Sequence, residues 1–521
     1  MRIRNSGMNR KALFFSIASG ILLFLSFPKH GAGIMAWVAL IPLFFALKDV
    51  DTRNGFILGF VAGLAFNIGL MYWVASVVGH YGHLGYSVAI FLMVLVAAYL
   101  SIYVALFAAG TVYLSGKGIP RIIAAPVLWT CLEYGKSHLF TGFPWENLAY
   151  SQYLSRHLIQ VVDITGTYGI TFVIVLVNIV IYDIMNEKFR GKKTMGAVAL
   201  CCIVLIGIYC YGYFRIDQTE EAAQTAKAMN VTVIQGNIDQ SIKWNPDFQA
   251  DTIDVYKNLS LEKRSSVTGL TVWPETAMPF FFQDASKMQS EIIEVARSSG
   301  DWLLFGSPSY QQNCKGDAAC IPFLNSAFLL SPQGKILGRY DKVHLVPYGE
   351  YVPLGNMFPF IKKLVVGVGD FRSGEGYYPL AMDGHKLGVL VCYEGIFPGA
   401  SRTYKKNGAD LLVNITNDAW FGRTSAPYQH LSMTVFRAVE NRLYLVRSAN
   451  TGISAVIDPT GRIVAHTALF ERTALRNTIK FINKETFYAV YGDVFALLCM
   501  IILTFYIFIS LRRKNVNAYR N

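Results

Sequence analysis

Three residues that lie far apart in the 521-residue chain have the side chains needed for covalent catalysis by a sulfur nucleophile. They are Glu275, Lys342 and Cys392, and each stands at or just after the end of a short apolar run. A free thiol has a pKa of about 8.5 and is mostly protonated at neutral pH, so it needs a base or a nearby cation to react well. A carboxylate can act as the base, and an ammonium group can stabilise negative charge that develops on sulfur or oxygen.

Taken singly, each of these residues has a plainer explanation. A lone cysteine at a strand end is more often buried and inert than reactive. Glu275 could be a helix cap or a salt-bridge partner, and Lys342 could be a solvated loop cation. Their order along the chain and their immediate neighbours favour the catalytic interpretation.

Short apolar or β-branched runs predict the strands that would position these groups. The predicted strands are residues 230–235, 269–273, 302–306, 326–330, 386–392, 410–415 and 444–448, with helical patterns at 285–297 and 428–442. Alternating strands and helices predict an α/β layered domain. In such sheets the loops at strand ends gather catalytic groups, which is where the three residues stand.

The motifs around the three residues resemble those of a known family. They are Trp-Pro-Glu-Thr-Ala, Asp-Lys-Val-His-Leu-Val-Pro-Tyr-Gly-Glu-Tyr-Val-Pro-Leu, Val-Cys-Tyr-Glu and Asn-Asp-Ala-Trp-Phe-Gly. They are similar to motifs of the nitrilase superfamily, and specifically of its bacterial apolipoprotein N-acyltransferase branch. The resemblance extends to residues 235–244 and to Gly-Phe-Pro-Trp at 142–145, although Glu146 and Asn147 replace the apolar residues that often follow there. Soluble nitrilases share the order of Glu, Lys and Cys but lack membrane helices.

The resemblance implies a fold, a reaction and a role for each residue. The expected fold is a multi-span α-helical membrane domain joined to an extracytoplasmic nitrilase-like αββα sandwich. The expected reaction is a two-step exchange, in which Cys392 takes a fatty acyl chain from a phospholipid and passes it to the α-amine of a diacylglyceryl-modified lipoprotein cysteine. Glu275 would be the base, and Lys342 would stabilise the thiolate and each oxyanion.

Four further residues receive supporting roles by the same resemblance. Glu350 would orient Lys342 or assist proton transfer, and Tyr393 and Glu394 would support the nucleophile. Trp244 resembles a mobile-loop tryptophan that closes over the lipid entrance. Without the resemblance, Trp244 would be interpreted as an ordinary surface or core aromatic residue.

Long apolar runs indicate that much of the chain lies in lipid. The chain is 53% hydrophobic, and a helix needs about 20 apolar residues to cross a bilayer core of about 30 Å. The predicted spans are residues 12–27, 31–47, 55–78, 85–115, 122–140, 163–186, 194–214 and 487–511. We therefore expect a membrane domain of about seven helices over 1–214, a linker over 215–227, the nitrilase-like domain over 228–486, a last transmembrane helix over 487–511 and a basic cytoplasmic tail over 512–521.

The distribution of basic residues predicts the orientation of the spans. With the N-terminus inside, the cytoplasmic loops receive Lys48, Arg53, Lys117, Arg121, Lys188, Arg190, Lys192, Lys193, Arg512, Arg513 and Lys514, whereas the opposite side receives only Lys29, Lys136 and Arg156. Positively charged loops remain inside. A multi-pass protein of the bacterial inner membrane, with the nitrilase-like domain in the periplasm, is the expected arrangement.

Other functions have less support in the sequence. The net charge is +13, but the lysines and arginines are scattered beside apolar runs, a pattern that does not favour nucleic-acid binding. No metal, redox or nucleotide motif appears, so we expect no cofactor. We expect a monomer. Two alternatives stay open: a membrane-tethered amidase that hydrolyses small amides with the same three residues, and a transporter, for which we see no repeat. Whether Cys314 and Cys320 form a disulfide is also open.

Overall fold

A computed structural model of the chain describes residues 9–82, 85–187, 192–263, 265–311, 322–351, 371–482 and 484–518. Cys314 and Cys320 lie outside these ranges. The chain divides into two compact units, one made of Met1–Ala75, Tyr86–Ile216 and Tyr491–Asn521 and the other of Ser76–Gly85 and Asp217–Val490. We call them the helical unit and the α/β unit, and describe each by itself.

The helices of the described residues carry the labels used below. In chain order they are α1 (Arg10–Leu25), α2 (Ile41–Ala46), α3 (Thr52–Met71), α4 (Trp73–Tyr81), α5 (Tyr86–Gly116), α6 (Arg121–His138), α7 (Val162–Thr165), α8 (Thr167–Glu187), α9 (Lys192–Thr225), α10 (Gln249–Glu262), α11 (Lys287–Ser299), α12 (Pro398–Lys406), α13 (Ala426–Asn441), α14 (Phe487–Tyr491) and α15 (Val494–Ala518).

The strands all belong to the α/β unit. They are β1 (Ala228–Gln235), β2 (Leu270–Val272), β3 (Trp302–Tyr310), β4 (Phe323–Leu330), β5 (Ile336–Asp341), β6 (Leu380–Met382), β7 (His385–Val391), β8 (Leu411–Thr416), β9 (Leu445–Ala449), β10 (Ala455–Ile457), β11 (Ile463–His466) and β12 (Thr473–Lys480). Each run predicted as a strand overlaps one of them.

Five helices of the described residues are long and apolar enough to cross a membrane. They are Thr52–Met71, Tyr86–Gly116, Thr167–Asn186, Thr194–Thr225 and Val494–Arg512. The other predicted spans overlap the 16-residue α1, the short apolar stretch Gly33–Ala46 and α6, so the number of crossings stays a prediction. Helix α9 continues through most of the expected linker, as far as Thr225.

The helices differ in how much of their apolar surface is covered. In α8, 72% of the most apolar window is buried inside the protein, whereas in α9 the share is 11%. Outward-facing side chains on α9 and α15 include Ile203, Phe214 and Ile501, all largely exposed. Such surfaces are stable when lipid replaces water as the solvent. The pattern therefore agrees with a membrane protein.

A buried carboxylate ties two helices of this unit to the loop that follows α6. Glu133 accepts hydrogen bonds from the backbone N–H of Leu148 at 2.6 Å, from Thr171 on α8 at 2.7 Å and from the indole of Trp129 at 3.0 Å. Trp145, the last residue of Gly-Phe-Pro-Trp, is buried nearby and stacks on Phe143. These bonds satisfy a polar group that would otherwise be costly to bury.

The α/β unit contains two sheets of six strands among the described residues. The first has the order β12-β1-β2-β3-β4-β5, and the second β11-β10-β9-β8-β7-β6. In each sheet the three central strands are parallel, β1-β2-β3 and β7-β8-β9, and the outer pairs are antiparallel. Central strands read as continuous apolar runs because both of their faces are buried.

The two sheets face each other, and helices cover their outer faces. Ser448 on β9 donates to the carbonyl oxygens of Ile234 on β1 and Val272 on β2, at 3.1 and 3.2 Å. On the outer face of the first sheet, α10 and α11 pack onto an aromatic core that includes Trp273. On the second, Tyr404 of α12 donates to Val389 at 2.7 Å. The predicted αββα sandwich is confirmed.

Candidate active site

Glu275 is carried by a tight turn after β2. Pro274 follows the strand and ends it, and Thr276 has φ +43°, a conformation that is rare for a β-branched residue. Gly306 on β3 makes room for this turn, because a Cβ there would lie 2.4 Å from the Thr276 nitrogen and 2.8 Å from the Glu275 Cα. The turn is therefore held by close packing against the neighbouring strand.

The Glu275 carboxylate is almost completely buried and is held at both oxygens. Oε1 accepts a hydrogen bond from the Asn325 amide at 2.8 Å, and Oε2 accepts from the backbone N–H of Asn417 at 2.9 Å. Asn325 lies on β4 in the same sheet, whereas Asn417 directly follows β8 in the other sheet. Glu275 thus stands at the junction of the two sheets.

Lys342, which follows β5, lies between two carboxylates. Its Nζ is 2.8 Å from Glu350 Oε2 and 3.9 Å from Glu275 Oε1, with the lysine side chain 1% exposed. Asn325 also donates to Glu350, at 2.9 Å. Burial alone would lower the pKa of Lys342, but the charges of Glu350 and Glu275 outweigh it and raise that pKa above its usual value. Lys342 is therefore a permanent cation at the site.

Cys392 stands on a strained turn at the end of β7. Its φ is +54°, in the left-handed region that non-glycine residues seldom adopt, and such strain is common at functional residues. The residue as a whole is partly exposed, but its sulfur is buried. Burial of the sulfur and the negative charge of Glu275 raise the pKa of the thiol, although Lys342 opposes them. The resting thiol is protonated at neutral pH.

A buried ionic cluster supports this turn from beneath. Arg447 on β9 donates to Asp418 at 2.7 Å and to Asn414, and all three side chains are fully buried. His430 on α13 lies 3.0 Å from Asp418 through Nδ1, and its Nε2 donates to the Cys392 carbonyl oxygen at 3.2 Å. A carbonyl oxygen only accepts, so Nε2 is the donor in this hydrogen bond. The cluster therefore fixes the backbone of the nucleophile.

Glu394 connects the Cys392 turn to the segment that carries Lys342. It is fully buried and accepts from the backbone N–H of Val391 at 2.7 Å, of Val343 at 2.8 Å and of His344 at 3.0 Å, and from the Tyr340 hydroxyl at 2.8 Å. One carboxylate therefore holds the two backbone segments together.

Aromatic rings pack where these two segments meet. His344 stacks on Phe397 with ring centroids 3.8 Å apart, and Tyr393 meets Phe397 edge to face at 4.9 Å. Burial and the positive charge of Lys342 lower the pKa of His344 to about 4. His344 is therefore neutral at physiological pH.

The predicted loop residue Trp244 follows a buried lysine. Trp244 itself is partly buried, and Lys243 is 2% exposed. The Lys243 ammonium donates to Thr276 Oγ1 at 2.6 Å and to the Glu275 carbonyl oxygen at 3.3 Å. The loop that carries Trp244 is therefore bonded to the turn that carries Glu275.

The structure brings Glu275, Lys342 and Glu350 into one ion-pair network, with the thiol of Cys392 within their electrostatic reach. Glu394 and Tyr393 lie in the turn beside the nucleophile. The catalytic roles of these residues remain predictions.

Sequence reasoning missed several residues around the site. They are Lys243, Asn325 and the cluster of Asp418, His430 and Arg447. His430 offered no orienting partner in the sequence, yet Asp418 is that partner in the fold. The available signal was Asp418 itself, because it lies in the Asn-Asp-Ala-Trp-Phe-Gly motif. Among the described residues, no group of three His, Cys, Asp or Glu side chains is arranged to hold a metal ion.

Comparison with protein families divides the chain as the fold does. Residues 19–180 match the model of the apolipoprotein N-acyltransferase N-terminal domain, and residues 230–481 match the carbon-nitrogen hydrolase model. The second match covers nearly all of the α/β unit. The chain also aligns with the crystal structure of a carbon-nitrogen hydrolase from Helicobacter pylori G27, over 51% of this chain and 94% of that one, with 19% identity and a TM-score of 0.37.

Relatives match the chain over almost its whole length. The apolipoprotein N-acyltransferase of Geobacter metallireducens is 44% identical over 98% of this chain and 97% of its own. That of Pasteurella multocida is 31% identical over 92% of both chains. Since both units are included in these matches, the chain belongs to the apolipoprotein N-acyltransferase family.

Proposed function

We propose that the chain moves a fatty acyl group from a membrane phospholipid, through a thioester on Cys392, to the α-amine of the N-terminal diacylglyceryl-cysteine of a lipoprotein. The observation that carries this proposal is the position of Lys342, 2.8 Å from Glu350 and 3.9 Å from Glu275, beside a thiol that is protonated at rest. A protonated thiol needs a base before it can attack an ester. A fixed cation can then stabilise the oxyanion.

In the first half-reaction Glu275 takes the thiol proton, and the sulfur attacks the ester carbonyl of the phospholipid. The oxygen that becomes negative in the tetrahedral intermediate is stabilised by Lys342. When the intermediate collapses, the C–O bond breaks and Glu275 returns its proton to the departing lysophospholipid alkoxide. Cys392 is left as a thioester.

In the second half-reaction the lipoprotein amine attacks the thioester carbonyl. Glu275 takes a proton from the attacking nitrogen, and Lys342 again stabilises the oxyanion. The C–S bond then breaks, an amide is formed, and the proton returns to the sulfur. The enzyme regains its starting state, which is the balance expected of a ping-pong mechanism.

The supporting residues follow from their contacts. Glu350 keeps Lys342 charged and oriented through the 2.8 Å ion pair. Glu394 holds the segments that carry Lys342 and Cys392 together, because it accepts hydrogen bonds from the backbone of both. Tyr393 lines the nucleophile's turn. For Trp244 the role of closing the lipid entrance comes from the family resemblance alone.

We extend the proposal to topology and assembly. The distribution of basic residues supports a position of the nitrilase-like domain, expected over 228–486, on the periplasmic side of the bacterial inner membrane. The membrane domain of about seven helices over 1–214, the linker over 215–227, the last helix over 487–511 and the basic tail over 512–521 complete this arrangement. The enzyme acts as a monomer and needs no cofactor.

Mass spectrometry of the purified full-length enzyme tests the reaction. After incubation with phospholipid in mixed micelles, we expect an acyl adduct on the peptide that contains Cys392, and we expect an added diacylated lipopeptide with a free N-terminus to remove it. Cys392→Ser should form no thioester while remaining folded and membrane-inserted. A matching lipopeptide with an acetylated N-terminus is the acceptor control and should leave the adduct in place.

Two results would overturn the proposal. If the adduct is absent from the wild-type enzyme, Cys392 is not the acyl carrier. If the adduct discharges to free fatty acid as fast without lipopeptide as with it, the enzyme is the hydrolase of the alternative interpretation. A transferase avoids that outcome by excluding water from the thioester.

A further inference from the structure

We propose that Lys243 is a positioning residue of the acyl-transfer site, whose ammonium group holds the Glu275–Thr276 turn and joins it to the loop that carries Trp244. This inference rests on the proposed role of Glu275 as the base. It assigns a function to a lysine that lies outside the predicted group of Glu275, Lys342 and Cys392.

The first argument is the burial of a charge at this position. Lys243 is 2% exposed, and its two hydrogen bonds within the described structure go to neutral oxygens, those of Thr276 and of the Glu275 carbonyl. An ammonium group is costly to bury unless bonds and nearby opposite charge compensate it. The compensating charge is the Glu275 carboxylate. The negative charge of Glu275 therefore favours the charged form of the buried lysine.

The second argument is the strain of the turn that Lys243 binds. Thr276 has φ +43°, and a residue in this region persists only where its surroundings impose the conformation. The 2.6 Å bond from Lys243 to the Thr276 hydroxyl is one such restraint, and the packing against Gly306 is another. Since Glu275 directly precedes the strained residue, loss of the restraint would move its carboxylate.

The third argument is that the Trp244 loop contacts Glu275 by two routes. Lys243 binds the backbone of Glu275, and Gln240 in the same loop accepts from the Asn417 side chain at 2.7 Å. The backbone N–H of Asn417 in turn donates to Glu275 Oε2 at 2.9 Å. Any movement of the Trp244 loop is thereby coupled to the position of the catalytic carboxylate.

Electrostatics supply a readout that a purely structural lysine would lack. Burial lowers the pKa of Lys243 to about 8, against the raising effects of Glu275 and of Cys392. Among the described residues, Glu275 and Cys392 are the titratable groups that act on Lys243. Lys342 lies 3.9 Å from the same Glu275 carboxylate. The ammonium form is thus present at neutral pH and is lost as the pH rises through about 8.

The test measures the rate of acyl-adduct formation on Cys392 in the full-length enzyme between pH 6.5 and 9.5. Lys243→Met should lower the rate at pH 7 by about 100-fold, the loss typical of a reacting group misplaced by about 1 Å. The wild-type rate should fall as the pH rises through about 8. Lys243→Arg should restore most of the rate at pH 7 and keep it at pH 9, because a guanidinium remains charged. Lys287→Met, at a 91% exposed lysine on α11, is the matched control and should behave as wild type.

A second pair of variants leaves Lys243 in place. Thr276→Val removes the hydroxyl acceptor and should lower the rate by about 10-fold, whereas Thr276→Ser keeps the acceptor and should remain within about 3-fold of wild type. If either Lys243 variant fails to fold, the two Thr276 variants test whether the hydrogen bond from Lys243 to Thr276 positions Glu275.

The outcomes separate this inference from the proposed function. A wild-type enzyme that forms no Cys392 adduct overturns both. A wild-type enzyme that forms the adduct, together with a folded Lys243→Met variant that is equally fast, overturns only the inference. So does a Lys243→Arg variant whose rate falls above pH 8 as steeply as that of wild type, or a Thr276→Val variant as fast as Thr276→Ser.

Discussion

The sheet that carries Glu275 and the sheet that carries Cys392 hold their reactive groups by different means. Glu275 and Lys342, on the first sheet, are joined to each other and to Glu350 by contacts between charged side chains. Cys392, on the second, lies in a strained turn and is held through its backbone by His430. The two sides therefore differ in whether the buried charged groups are proposed to react or only to support the fold.

On the first side the charges are also the proposed reagents. The Glu275 carboxylate and the Lys342 ammonium both act electrostatically on the Cys392 thiol, so their positions bear directly on the proposed chemistry. On the second side Asp418 and Arg447 form a fully buried ion pair that supports the turn and takes no part in the proposed chemistry. A substitution on the first side should therefore change the catalytic rate directly, whereas one on the second side should act on catalysis only through folding.

The largest effect is expected for Arg447→Met. Removal of this guanidinium leaves Asp418 buried without its main partner, and breaking a buried pair in this way typically costs about 3–5 kcal/mol in the free energy of unfolding. Thermal unfolding of the full-length protein in detergent measures the change. Arg462→Met is the control, since Arg462 pairs with Asp458 but is 57% exposed, and it should cost less than about 1 kcal/mol. Equal destabilisation by the two variants would show that the buried cluster is not the scaffold of this side.

The next largest effect is expected for Lys342→Met, which should lower the rate and also the stability, because the buried Glu275 and Glu350 carboxylates lose their cation. Loss of one donor to the oxyanion typically lowers the rate by about 10²–10³-fold, or about 2.7–4 kcal/mol of transition-state stabilisation. Single-turnover formation of the Cys392 adduct measures it, with unfolding temperature followed in parallel. Lys335→Met, at an exposed lysine on the same side of the unit, should leave the rate unchanged. A Lys342→Met variant that unfolds far below wild type yet keeps its rate would reverse the contrast between the two sides.

The smallest effect concerns His344, which lies where the two sides meet because it stacks on Phe397. Its pKa is lowered from 6.5 to about 4 in the folded protein, by burial and by Lys342. Between those pH values the unfolded chain binds a proton that the folded chain does not, so stability falls as the pH falls. His344→Gln should flatten the dependence of unfolding temperature on pH between 6.5 and 4. His466→Gln, at an exposed histidine, should not; if both variants have the same slope as wild type, His344 contributes nothing to acid sensitivity.

The sequence predicted the parts of the fold that depend on local patterns. The central strands β1, β2, β3, β7, β8 and β9 were recognised because each is an apolar run with turn residues at its ends. The edge strands β5, β6, β11 and β12 and the three-residue β10 were not among the predicted runs, since each is short or carries exposed polar side chains. The order of strands in each sheet could not be predicted either, because strand pairs such as Ala228 with Lys480 join residues about half the chain apart.

The candidate site divides in the same way. Glu275, Lys342 and Cys392 could be selected from the sequence because their types suit one reaction and because each lies in a motif with informative neighbours. Lys243, Asn325 and Arg447 could not, since a lysine, an asparagine or an arginine is ordinary on a surface and becomes informative only when it is buried beside a charge.

The amino-acid sequence by itself therefore determined which reactive side chains this protein has, and which part of the chain is expected in lipid and which in water. Side-chain types and runs of apolar residues are local properties, so each can be recognised from a short segment of the chain alone. Only the tertiary structure decided which charges are buried, which carboxylate each cation contacts, and how the turn after β2 meets the turn after β7. Those facts depend on distances between segments that the chain brings together when it folds, and the strength of a charge interaction depends on that distance and on the exclusion of water.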